Sequence, residues 1–134
     1  MLFRSLDHVR LGLATGKSRR GVAAILLREQ LGELFHTIQT ADTHPSKPDP
    51  SMLLSAMADA DSTPDQTLMI GDTTFDMDMA KAAGVRGIGV AWGYHPVAEL
   101  HLAGAHFVAH DAGALLAELR IFSSGAPVLK AITR

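Results

Sequence analysis

The chain contains no cysteine. Disulfides, thiol nucleophiles and zinc–thiolate sites are therefore excluded. An excess of either charge is also missing. Twelve Lys and Arg stand against fourteen Asp and Glu, for a net charge of −2. Neither nucleic acid nor an anionic membrane is implied as a partner. No apolar run approaches the roughly 20 residues needed to span a bilayer. There is no internal repeat and no low-complexity stretch. The opening residues, Met-Leu-Phe-Arg-Ser-Leu-Asp, lack the form of a signal peptide. The expectation is a soluble, cytoplasmic protein.

What is present suits one globular domain. The apolar fraction is 47% and the charged fraction 19% over 134 residues, enough for a real core. Residues 8–14 read as a strand ending at Thr15-Gly16. Ser18 then caps a helix to about Leu31, with Val22, Ile25, Leu26, Leu27 and Leu31 at helical spacing and Gly32 as its stop. Residues 35–38 make a short strand. Residues 41–50 are a loop, because Pro45, Pro48 and Pro50 exclude regular structure. Asp49 caps the next helix with Pro50 at its first position, and Leu53, Ala56, Met57 and Ala60 face inward. A buried strand at 67–70 precedes a helix at 75–83 that stops at Gly84. A strand at 87–92, a short helix at 96–103 and a strand at 106–109 follow. The final helix is capped by Asp111, with Leu115, Leu116 and Leu119 inward. Residues 1–122 form one domain in this reading, and 123–134 a loose tail. Strands alternating with helices imply an α/β fold, a Rossmann-like parallel sheet with helices on both faces.

The chemistry concentrates at the ends of strands, where parallel α/β sheets bind ligands. The apolar run 67–70 ends in Gly71-Asp72, and Asp76 follows one helical turn later. Two carboxylates so placed repel unless a cation lies between them. Magnesium, which prefers oxygen ligands, resolves that conflict. The alternative is a capping Asp72 and a solvated first-turn Asp76. Thr15 closes the first strand, and Lys47 sits in the proline-rich loop. A hydroxyl, an ammonium and a carboxylate pair together suit a phosphoryl group beside magnesium. Thr15, Gly16 and Lys47 are the phosphate-binding candidates, Thr15 and Lys47 the catalytic ones, and Asp72 and Asp76 the metal ligands.

These motifs, in this order, resemble the haloacid dehalogenase-like hydrolase superfamily and its phosphoglycolate phosphatase-like branch. Leu11-Gly-Leu-Ala-Thr15 matches the second motif of that family, Lys47-Pro48-Asp49-Pro50 the third, and Gly71-Asp72 through Asp76 the fourth. Ala91-Trp-Gly-Tyr94 resembles the loop that follows. The likeness covers about residues 8–120. It implies a magnesium-dependent phosphatase acting on a small phosphorylated metabolite, with Thr15 binding phosphate, Lys47 balancing charge and Asp72 and Asp76 holding magnesium.

One motif has no counterpart. The family's first motif is an apolar strand followed by Asp-x-Asp, whose first Asp is the nucleophile, and a mobile cap usually follows. Asp7 precedes the first strand, and Asp59-Ala60-Asp61 follows a helix on the wrong side of the sheet. The resemblance therefore implies a fragment of a longer protein, with negligible turnover alone. In the family the missing strand lies between the strands ending at Thr15 and Ile70. Its absence leaves the sheet incomplete, with two unpaired edges. Three outcomes present themselves: the flanking strands close up, a second copy supplies a strand in a homodimer, or the chain is a piece of a longer one.

Other signals carry less. Gly12 through Gly16-Lys17-Ser18 has three residues between its glycines, where a P-loop has four. The seven histidines show no metal-ligand spacing. His95 and Tyr94, near a strand end, are the exceptions that could serve a site. Trp92 reads as a packing residue and Asp78 as exposed. Two rivals to the phosphatase reading stand: a non-catalytic module that binds magnesium or phosphate or dimerises through exposed edges, and a nucleotide binder using Gly16-Lys17-Ser18.

Overall fold

The computed structural model describes residues 2–4, 9–124 and 131–133, with side chains over 9–122. Seven strands and five helices alternate as expected for the α/β class: β1 (Leu2–Arg4), β2 (Val9–Thr15), α1 (Arg19–Arg28), β3 (Phe35–Thr40), α2 (Ser51–Asp59), β4 (Thr67–Gly71), α3 (Thr74–Ala82), β5 (Arg86–Val90), α4 (Val97–Leu102), β6 (Phe107–Ala109), α5 (Ala112–Ser124) and β7 (Ala131–Thr133). The sheet runs β3-β2-β7-β4-β5-β6, and all of these pairings are parallel.

Successive side chains of a strand point to opposite faces, and β4 shows what that requires here. All five of its residues are buried. Met69 packs with Met52, Leu53, Met57 and Met79 beneath α2 and α3. Leu68 and Ile70 face the other way, toward Ile88, Val90 and Phe122 beneath α5. A strand covered on both faces reads as an unbroken apolar run, which is why Leu68-Met-Ile70 is so plain in the sequence.

Helix ends show where local rules suffice. Ser18 accepts from Gly21 N at 3.1 Å and Asp111 from Ala114 N at 2.7 Å, so both expected caps are in place. Gly84 ends α3 with a left-handed φ of 73°, as expected of glycine at that position. α1 ends earlier than expected. Gln30, not Gly32, takes the left-handed conformation at φ 58°. Leu31 N then bonds to Leu26 O at 2.9 Å and Gln30 N to Leu27 O at 3.3 Å, which closes the turn. Leu27, expected on the inward stripe, faces solvent at 82% exposure, because it lies off the face that buries Val22 and Leu26. Leu116 is likewise exposed, whereas Leu115 and Leu119 pack inward. At α2 the cap shifts by one residue: Pro50 is the cap itself, and the Asp49 carboxylate still accepts from Ser51 N at 2.9 Å.

The slot between β2 and β4 is filled from within the chain. β7 lies parallel between them, with Ile132 in register with Leu13 and Ile70. At the other end of the slot β1 runs antiparallel, pairing Leu2, Phe3 and Arg4 with Leu11, Arg10 and Val9, and Phe3 with Thr67. The flanking strands do not close on each other. Of the residues expected to be a loose tail, Ser123 and Ser124 end α5 and 131–133 form a central strand. Residues 125–130 and 134 lie outside the described residues. The physical reason is the cost of unpaired backbone groups in a sheet interior: any short extended segment within reach gains by pairing there. Among the described residues no helix is long and apolar enough to cross a membrane.

Candidate active site

The site is built where β4 hands over to α3. Thr73 caps α3, and Asp76 closes a capping box with it. Thr73 Oγ1 receives Asp76 N at 3.2 Å, while Asp76 Oδ2 accepts from Thr73 N at 3.2 Å and Thr73 Oγ1 at 2.9 Å. The other carboxylate oxygen, Oδ1, accepts from Lys47 Nζ at 2.6 Å. The pair is deep: the Lys47 side chain is 12% exposed and that of Asp76 1%. Gly71 makes the packing possible, since a Cβ there would stand 2.3 Å from Asp76 Cβ.

The loop that carries Lys47 is held by a polar chain beneath it. His44 Nδ1 meets Ser51 Oγ at 2.8 Å, and its Nε2 meets Gln39 Oε1 at 2.7 Å. Gln39 Nε2 donates to Thr37 Oγ1 and to Asp59 Oδ2, both at 2.8 Å. With its amide nitrogen donating, the Gln39 oxygen must accept. His44 Nε2 therefore carries a proton and donates to the Gln39 oxygen. Asp59, rejected above as a nucleophile, has its carboxylate occupied by Thr37 and Gln39.

Asp72 stands in contrast. It is half-buried, and among the described residues it has no hydrogen bond or ion pair. The backbone of Gly93 is pressed against it, for a Cβ on Gly93 would lie 2.2 Å from Asp72 Cβ. Asp72 opens into a cleft of about 570 Å³, lined with Lys17, Thr73, Trp92, Gly93 and Tyr94. No group of three His, Asp or Glu side chains able to hold a metal occurs among the described residues. Magnesium nevertheless fits this donor set, because it keeps several waters and takes one or two carboxylates plus substrate phosphate. The expected carboxylate pair is thus divided: a cation does resolve the repulsion, and for Asp76 that cation is Lys47.

The end of β2 is arranged differently. Thr15 is buried at 2% exposure, and its Oγ1 accepts from Lys17 N at 3.2 Å. It lines a second cavity of about 450 Å³ under α1, beside Leu13, Val22 and Leu26. Lys17 borders both cavities. Gly16 is exposed, with open space where a Cβ would stand. Three amides at the head of α1 are already engaged: Lys17 N by Thr15, Arg19 N by the Asp42 carboxylate and Gly21 N by Ser18. A nucleotide loop needs such amides free for phosphate, so the geometry does not favour that rival.

Thr73 is not among the candidate residues; Lys17 enters the sequence reading only through the rival nucleotide loop, and Trp92 and Gly93 only through the stretch that resembles the family's loop, with Trp92 read as packing. Thr73-x-x-Asp76 carries a capping-box signal, with Asp in place of Glu. That Trp92 and Lys17 line one cleft has no local signal, because only the folded chain brings them together. His95 accepts from Thr74 N at 2.9 Å through Nδ1, which ties the loop after β5 to the head of α3.

The chain is similar to known proteins. The family model for haloacid dehalogenase-like hydrolases matches residues 3–90. A phosphoglycolate phosphatase of Pseudomonas putida is 38% identical over 109 residues, covering 81% of this chain and 40% of the relative. Phosphoglycolate phosphatase 1 of Pseudomonas aeruginosa is 42% identical over 97 residues, covering 69% of this chain and 36% of that one. The chain spans about two-fifths of the length of these relatives. A hydrolase structure from Pseudomonas syringae superposes with a TM-score of 0.72 at 31% identity, over 82% of this chain and 51% of the other.

Proposed function

The chain belongs to the haloacid dehalogenase-like hydrolases, in the phosphoglycolate phosphatase-like branch, and from that premise we propose that it carries the metal- and phosphate-holding half of a phosphatase site for small phosphate monoesters. The observation that carries the reading is that one strand end bears both an open carboxylate, Asp72, and, four residues on, a carboxylate closed in a buried ion pair, Lys47–Asp76. Asp72 is the residue that would hold magnesium. The bound ion would supply positive charge against the phosphate oxygens. Asp76 would serve this chemistry indirectly, by fixing the ammonium of Lys47. That ammonium has three donors, and Asp76 takes one. The others would balance phosphate charge. At the end of β2 the exposed Gly16 would face the phosphate, and the buried Thr15, whose hydroxyl holds Lys17 N, would position that turn.

None of these residues is a nucleophile for phosphorus. Loss of a nucleophile costs about 10⁶ in turnover in a well-studied hydrolase. The 134-residue chain is therefore expected to bind without turning over. Titration calorimetry should show magnesium binding that Asp72→Asn abolishes, with inorganic phosphate binding in its presence. Magnesium affinity indifferent to Asp72→Asn would overturn the assignment. Magnesium-dependent hydrolysis of p-nitrophenyl phosphate by the purified chain would overturn the inactive reading.

A second reading, an interaction module that dimerises through its sheet, has one observation in its favour. The central slot is held by two strands of only three residues each. Such short strands could give way to a longer one. Light scattering over a dilution series decides it: a concentration-dependent dimer supports the module, and a constant monomer removes it.

A further inference from the structure

Lys47 stands in a loop, 41–50, that has no helix or strand to hold it. A lysine stem is long and flexible. The Asp76 carboxylate fixes its tip, but its base needs a restraint of its own. Among the described residues the backbone of Lys47 makes no hydrogen bond. The loop is tied near its two ends instead. Asp42 accepts from Arg19 N at the head of α1, and the Asp49 carboxylate accepts from Ser51 N at 2.9 Å. Within the loop only Ala41, His44, Lys47 and Pro50 are even partly buried.

His44 supplies the missing restraint. Its Nε2 donates to Gln39 Oε1 on β3 at 2.7 Å, and its Nδ1 meets Ser51 Oγ on α2 at 2.8 Å. Among the described residues no other side chain of the loop joins both flanking elements. Gln39 is a firm anchor, because it is buried and its amide nitrogen is held by Thr37 and Asp59. Ser51 opens α2, whose Met52 and Leu53 are fully buried. The imidazole is thus a strut across the loop, three positions before Lys47. Fixing backbone conformation costs entropy. A loop ordered before its ligand arrives has met that cost in folding.

We propose that His44 is a positioning residue for phosphate: by bridging Gln39 and Ser51 it sets the base of Lys47, and so the direction of the ammonium donors that Asp76 leaves over. The proposal rests on the phosphate-site reading above and adds the group that holds its lysine. Calorimetry on the 134-residue chain separates this role from a general contribution to folding. His44→Ala should weaken inorganic phosphate, measured at saturating magnesium, by about three- to tenfold, as the loss of one or two hydrogen bonds allows. Its magnesium affinity should match the parent's, since Asp72 makes no hydrogen bond to this loop among the described residues. His44→Gln, which returns an amide donor toward Gln39, should recover most of the phosphate affinity. Ser51→Ala, which keeps the Gln39 bond, should lose less than His44→Ala, and it carries the test if circular dichroism shows His44→Ala unfolded. Phosphate affinity unchanged in the folded variants would overturn the proposal while the phosphate reading stands. So would a parallel loss of magnesium and phosphate affinity, or no recovery in His44→Gln. If the parent chain binds no phosphate, the phosphate reading falls and the positioning role with it.

Discussion

Two carboxylates four residues apart in sequence live in opposite surroundings. Asp76 is closed in, with both oxygens accepting hydrogen bonds and almost no contact with water. Asp72 has no such partner among the described residues and faces an open cleft. The first organises the backbone and a lysine. The second is open to the cleft. Stability and function thus divide at a single strand end: buried polar groups must be satisfied internally, whereas a group meant for a ligand must be kept unsatisfied.

The contrast can be broken most severely at Asp76. Asp76→Ala leaves the buried Lys47 ammonium without its partner and removes the carboxylate half of the capping box of α3. Breaking a buried pair from one side costs about 3–5 kcal/mol, and the shift should appear in the urea midpoint. A loss below about 1 kcal/mol would show that the corner is not closed. Next is Gly71→Ala, whose new Cβ would collide with Asp76 Cβ and Cγ. Overpacking of this kind costs about 1–3 kcal/mol, again read by denaturation. Asp72→Asn reverses the pattern. Stability should stay within about 0.5 kcal/mol, yet magnesium affinity measured by calorimetry should fall by at least about tenfold, the lower end of what even outer-shell changes cause. Asp72→Asn destabilising the fold as much as Asp76→Ala would erase the distinction. The smallest effect belongs to Tyr94→Ala, an exposed rim residue. Its thermal midpoint should match the parent's, with any change confined to ligand binding.

Much of this was legible before any coordinates. Leu68-Met-Ile70 declared a strand covered on both faces, Ser18 and Asp111 declared helix starts, and Gly84 declared a stop. Each depends on residues a few positions apart, so local sequence carries the signal. Errors fell where two local choices compete. Gln30 ended α1 before Gly32 could, because the bonds from Gln30 and Leu31 back to Leu27 and Leu26 close the turn there. Leu116 followed the helical pattern of its neighbours but lies on the outer edge of the stripe. Of the candidate site, Asp72 and Asp76 were singled out by their place at a strand end, and Lys47 by its proline-rich loop and the family motif it resembles. That Lys47 pairs with Asp76, 29 positions away, was not, nor was the exposure of Trp92. Residues 131–133 had no periodicity to read, since three residues are too few to show one.

The sequence by itself determined the alternation of strands and helices, the caps, and which strand ends bear acid, base and hydroxyl. Those follow from neighbours within one turn or one pleat. Only the tertiary structure decided which carboxylate is spoken for and which is free. The loop carrying Lys47 is tied to β3 and α2 by the polar chain from His44 to Asp59, and Lys47 itself reaches Asp76 on α3. Only the tertiary structure, too, filled the slot between β2 and β4 with segments from both ends of the chain. Backbone hydrogen bonds in a sheet interior must be made by whatever segment can reach them, and reach is a property of the folded chain.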